Sequence, residues 1–141
     1  MKYYVSALAA LLVAFSPTSS VVFSDQYPRA SSGSAGITIT WVTTQEIGIK
    51  DFAVEKASQL NGQFFQVDGT IAATGAGSTY QFVDNDLYKT TSTTIYTYRV
   101  RADGYDGNVS YSNTITQPYD FSSSISGVAK RTWGSIKAMF R

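Results

Sequence analysis

Neither cysteine nor histidine occurs among the 141 residues of the chain. Without cysteine there is no disulfide framework, no thiol nucleophile and no lipid-bearing amino-terminal cysteine. Without histidine there is no ordinary catalytic triad and no familiar zinc site. Chemistry by carboxylate, lysine or tyrosine stays formally open, but most enzyme classes are disfavoured. No catalytic residue, cofactor or bound metal is therefore expected. Long apolar runs are also scarce. The longest, from Val5 to Phe15, falls short of the roughly 20 residues needed to span a bilayer.

Charge is nearly balanced overall, at +1, but it is unevenly placed. From Val21 to Ser126 ten acids face six bases. From Gly127 to Arg141 there are four bases (Lys130, Arg131, Lys137, Arg141) and no acid. An acidic body is poorly suited to a polyanion across its main surface, so no nucleic-acid partner is expected. Membrane contact, if any, is confined to residues 127–141.

The amino terminus reads as an export signal. Lys2 precedes the Val5–Phe15 run, and Ser16-Pro-Thr-Ser-Ser20 supplies small residues after it. Residues 1–20 are assigned to a signal peptide with a cut before Val21, or alternatively after Ser24. The product is expected to be secreted, extracellular or on a cell surface.

What is abundant in the remainder is alternation. Ile37, Ile39 and Trp41 face one way while Thr38 and Thr40 face the other. Tyr96, Tyr98, Val100 and Ala102 alternate likewise with Arg99 and Arg101. Each apolar face needs a second sheet to cover it. Between these strands, Tyr27-Pro-Arg and Ser31–Gly36 read as turns, and Asp51–Ser58 reads as a strand with Phe52 and Val54 inward and Glu55 in solvent. Asn61-Gly62 reads as a hairpin returning along Phe64–Ile71. Thr79–Val83 sends Tyr80 and Phe82 inward, Asp84–Thr94 forms a polar crossover, and Gly104–Gly107 turns into Val109–Thr116. The expected fold is all-β, a two-sheet antiparallel sandwich of about seven strands over residues 21–117. Its expected core is Ile37, Ile39, Trp41, Phe52, Val54, Phe82, Tyr96 and Val100.

These residues resemble a fibronectin type III domain, an immunoglobulin-like sandwich. Trp41 stands where that family has a tryptophan on its second strand. Tyr96, Val100 and Ala102 match its sixth-strand pattern, which implies that Tyr96 is a corner tyrosine whose hydroxyl bonds to backbone. A closer likeness is to short modules on secreted bacterial surface proteins. It is carried by Trp41-Val-Thr-Thr-Gln-Glu46 before Phe52-Ala-Val-Glu55, and by Asp106-Gly107 before Tyr111-Ser112. The cell-attachment tripeptide Arg-Gly-Asp is absent from the hairpin that would carry it. The resemblance implies an adhesive or scaffolding module. Sandwiches of this type serve many roles, so it names no ligand.

Candidate sites are few. Asp103-Gly-Tyr-Asp106-Gly-Asn108 and Asp84-Asn-Asp86 have oxygens for calcium, but tight turns need the same residues. Glu46, Asp51 and Glu55 have no evident cause for a shifted pKa. Tyr27, Tyr88, Tyr105 and Tyr119 are expected to be exposed and to offer a contact surface. After a Ser-rich linker over 118–126, the basic tail 127–141 places Trp133, Ile136 and Phe140 at helical spacing among Lys130, Arg131, Lys137 and Arg141. It reads as a sorting or anchoring peptide, as a segment lying on anionic lipid, or as a frayed or self-packed end. The expected partner is a protein or glycan surface component, or copies of the chain itself. The alternatives to adhesion are a self-assembling extracellular filament formed by strand addition and a carbohydrate-binding accessory domain.

Overall fold

The computed structural model describes residues 17–57, 62–90 and 92–122, together with Lys137 and Met139. Ten strands are described: β1 (Ser20–Phe23), β2 (Arg29–Gly33), β3 (Gly36–Ile47), β4 (Ile49–Ala57), β5 (Phe65–Gln66), β6 (Ile71–Ala72), β7 (Thr79–Asp84), β8 (Thr94–Gly104), β9 (Val109–Tyr111) and β10 (Ile115–Tyr119). All pairings are antiparallel. They form two sheets that do not close into a barrel, so the fold is an all-β sandwich. In the first sheet β3 pairs with β1, β2 and β7; in the second, β4 and β8 form the centre, flanked by β5, β6, β9 and β10. Counting β1–β2, β5–β6 and β9–β10 each as one interrupted strand leaves seven, three on one sheet and four on the other.

Several segments differ from the alternation pattern. Arg29–Gly33 is a strand, not part of a turn; its register with β3 runs from Arg29↔Thr40 to Gly33↔Gly36. Ser, Ala and Gly satisfy a ladder through backbone groups alone, so no apolar signal marks it. Gly36 is required here: its φ is +130°, and a Cβ on it would strike the carbonyl of Asp84 on β7. The return strand expected over Phe64–Ile71 is two short pieces, broken around Asp68-Gly69, where Gly69 has φ +78°. β1 begins at Ser20, and β10 runs on through Pro118 and Tyr119, residues the composition assigns to the linker. Pro118 faces Ile95 at the outer edge of the second sheet, where a missing N–H is tolerated. The Asn61-Gly62 hairpin has its first residue outside the described set, as do residues 1–16 of the leader.

The core lies between β3 and β7 on one side and β4 and β8 on the other. Ile37, Ile39, Trp41, Phe52, Val54, Tyr96 and Val100 are buried there, with Tyr98, Ala102, Tyr80, Ile49, Leu87 and Tyr119. Phe82 is only half-buried, because β7 is a sheet edge and its ring borders an open groove. Leu87 turns inward from the segment expected to be a polar crossover. Trp41 stacks on Tyr80 at 5.4 Å and meets the edge of Phe52 at 5.9 Å, so its ring spans both sheets. Its indole N–H has no acceptor among the described residues, and the ring contributes through packing and buried area. Replacing Trp41 by Ala is expected to cost about 3–5 kcal/mol; a thermal melt indistinguishable from that of the parent would refute this placement.

Candidate functional site

A groove of about 550 Å³ opens between the two sheets on the side where β5 and β7 form their edges. Lys56, Tyr96 and Phe82 form its floor, and Phe65, Val83 and Tyr88 its rim. The side chain of Lys56 lies on the inward face of β4 with Phe52 and Val54, an unusual place for an amine. It is held there by Asp84 at the end of β7, with Nζ 2.9 Å from Oδ2. Nζ also donates to the carbonyl of Asp86 at 2.6 Å and sits 5.4 Å from the Tyr96 ring centroid. Asp84 is fully buried. It further accepts from the Tyr98 hydroxyl at 2.8 Å and from the Asp86 N–H at 3.1 Å. The amine, two phenols and one carboxylate thus form a linked polar cluster beneath the groove.

Burial pushes the Tyr98 phenol well above the ordinary tyrosine range, and its bond to the Asp84 carboxylate pushes in the same direction. Burial also raises Tyr96, against the opposing effect of the Tyr88 N–H that donates to its oxygen at 2.8 Å. That bond fixes Tyr88, which stacks on Tyr96 at 6.3 Å and leaves its own ring 63% exposed. Phe65 on the facing rim is 65% exposed. The rim is therefore aromatic and acidic, with Asp68 and Asp86 beside the rings.

The other candidate residues are occupied structurally. Glu55 does not stand in solvent: it is 6% exposed and receives Arg99 at 2.7 Å and Arg101 at 3.0 Å. The alternation is right about its face, but two long guanidinium side chains lie over it. Arg101 also bonds Asp103, whose carboxylate is the main cause of a raised guanidinium pKa. Arg99 is sandwiched between the Phe64 and Tyr111 rings, at 4.3 and 4.0 Å. Glu46 accepts from the Tyr80 hydroxyl at 2.7 Å, from the Gly75 N–H at 2.8 Å and from the Thr43 hydroxyl. Asp51 is 3.2 Å from Lys50. Asp106 caps its own turn through the Asn108 backbone N–H at 3.0 Å and side-chain amide at 2.7 Å. Among the described residues no three Asp or Glu side chains converge to hold a cation.

Of the four tyrosines expected at the surface, Tyr88 and Tyr105 are exposed and Tyr27 is half-buried under Arg29. Tyr119 is buried instead, because β10 extends far enough to place it opposite Thr94 at the end of the core. Trp133, Ile136, Phe140, Lys130, Arg131 and Arg141 lie outside the described residues; Lys137 and Met139 are helical and exposed. Alternation marks Lys56 as inward, yet its chemical type argues the reverse, so the sequence reading missed it. The signal available was its parity with Phe52 and Val54. No protein-family model matches the chain, and no curated protein matches it significantly.

Two outcomes follow from this cluster. Lys56→Met strands a fully buried carboxylate and is expected to cost about 3–5 kcal/mol in urea unfolding. Asp84→Asn is expected to cost less, because the Lys56 side chain is 18% exposed and its ammonium can turn to water. The reverse order would show that the carboxylate is not the trapped charge. The alkaline limb has a definite sign. Above pH 10 the unfolded chain releases phenolic protons that folded Tyr98 retains, so stability falls as pH rises. Tyr98→Phe should flatten that fall between pH 9 and about 11; an unchanged slope in pH-dependent melts would rule out Tyr98 as its source.

Proposed function

We propose that this protein is a secreted or cell-surface, non-enzymatic sandwich module that works by contact, in adhesion or extracellular scaffolding. The observation that carries this is the groove rim, where Phe65 and Tyr88 expose aromatic rings while the charges beneath it, Lys56 and Asp84, are used in a structural pair. Exposed aromatics held in place are typical of contact surfaces. The three-plus-four strand arrangement and the Tyr88 N–H bond to Tyr96 support a fibronectin-like reading of the sandwich. In this reading the basic segment 127–141 serves sorting or anchoring. The partner is a protein or glycan of the cell surface.

A second reading, a filament subunit, is favoured by one feature: no described strand pairs with the outer side of β7. An open edge of that kind is a template for a strand from a neighbouring copy. Ordered fibres in electron micrographs of concentrated protein would favour it over the isolated module.

The contact reading is tested by coating purified protein on a surface and measuring retention of cells and of arrayed glycans. The double variant Phe65→Ser/Tyr88→Ser is expected to lower retention at least about tenfold with little change in melting temperature, because both rings are largely exposed. Undiminished retention would remove the groove from the adhesive surface. Removing residues 127–141 should release the protein from the producing cell; equal retention with and without them would dismiss an anchoring role.

A further inference from the structure

The start of β1 is held by a cradle fitted to one residue. The Ser19 nitrogen donates to Asp106 Oδ2 at 2.7 Å, joining positions 87 residues apart. Asp106 is itself aimed by its bonds from Asn108. Gly104 makes the approach feasible, since a Cβ there would collide with the Ser19 side chain. Gly48 borders the other side of Ser19, where even a Cβ would be at ordinary contact distance, 3.6 Å from Ser19 Cα. Ser19 and Ser20 are half-buried, whereas Pro17 and Thr18 are exposed. Among the described residues, packing against the sandwich thus begins at Ser19.

We propose that export processing cleaves the Thr18–Ser19 bond, so that the mature chain begins at Ser19 with its α-ammonium seated on Asp106. The proposal rests on the secreted reading given above and specifies its cleavage site. Hydrolysis by a signal peptidase adds one water across the amide: Thr18 leaves as a carboxylate and Ser19 retains the amine, which is protonated at neutral pH. Ser16 and Thr18 provide the small residues third and first before the bond. A cut before Val21 satisfies the same pattern through Thr18 and Ser20, but it discards Ser19 and also Ser20, which pairs with Ile47. A cut after Ser24 discards all of β1, including Phe23, whose ring meets Phe52 at 6.3 Å. The small-residue pattern permits the first two, since Val22 stands third before a cut after Ser24, and the packing selects the first. Cleavage there converts a neutral N–H donor into a charged one facing a carboxylate, which makes a stronger hydrogen bond. Hydrogen bonds from Ser19, and then from Asn108, already hold the Asp106 carboxyl well below the usual range.

The test is expression of the full chain with its own leader in an exporting host, followed by amino-terminal sequencing and intact mass of the exported protein. A start at Ser19 is expected. A start at Pro17, Val21 or Asp25 would overturn the proposal while leaving export intact. Retention of Met1 in protein that stays inside the cell would overturn both. Independently of export, chains made to begin at Ser19 and at Val21 are compared by thermal melting. The longer is expected to melt at least about 3 °C higher. Amino-terminal acetylation and Asp106→Asn should each reduce that gap. Equal melting of the two chains, or a gap indifferent to both changes, would refute the anchor.

Discussion

The carboxylate of Asp84 is the constraint on which the arrangement of the two sheets depends. It ends β7 in one sheet and is gripped by Lys56 and Tyr98 from the other. A buried ion pair adds little net stability, because desolvation offsets much of the attraction. Its effect is on specificity. Sliding β7 by one residue would point Asp84 to the opposite face and put Val83 or Asn85 against Lys56, neither of which supplies a negative charge. The pair thus penalises wrong registers more than it rewards the right one. Gly36 adds a second penalty beside it, since only a residue without Cβ passes the Asp84 carbonyl. The groove lies directly over this pairing, with Lys56 among its lining residues.

The outward face of the second sheet solves a different problem. Glu55 on β4 stands opposite Arg99 on β8, and Ala53 stands opposite Arg101. The guanidinium groups cover the small side chains and neutralise the carboxylate between them. Their stems and planes provide the apolar cover that a third layer would otherwise supply. Phe64 and Tyr111 then close over Arg99 from both sides. A residue that looks like a free acid in the sequence is in effect an interior group of the surface.

Alternation made the long strands readable. Trp41 and the row Tyr96, Tyr98, Val100 and Ala102 fall on the face that period two assigns them, because a half-buried strand leaves no other solution. Three kinds of feature were hidden. Arg29–Gly33 is held by backbone hydrogen bonds and has no side-chain pattern to betray it. Lys56 and Glu55 are charged residues whose burial depends on partners tens of positions away, which no local window contains. Leu87 and Tyr119 belong to segments that read as polar and as linker, yet each supplies one ring or branch to an end of the core. The groove rim is half visible in the sequence: Tyr88 stands out as a large aromatic in a polar run, whereas nothing local marks Phe65, on a strand of two residues, as a rim residue.

That short strand also bears on how contact with a partner would be made. A long β5 would cover the side of the sandwich and bury Phe65 against its neighbours. A two-residue β5 leaves the ring exposed beside an open sheet edge. Tyr88 across the groove is already fixed by the bond between its own N–H and Tyr96. Ordering a mobile side chain on binding costs roughly 0.5–1.5 kcal/mol, and part of that cost is met in folding where the ring is already stacked, as Tyr88 is on Tyr96. The same tyrosine that closes the core through its ring therefore sets the rim through its hydroxyl, so packing and contact surface cannot be altered independently at Tyr96.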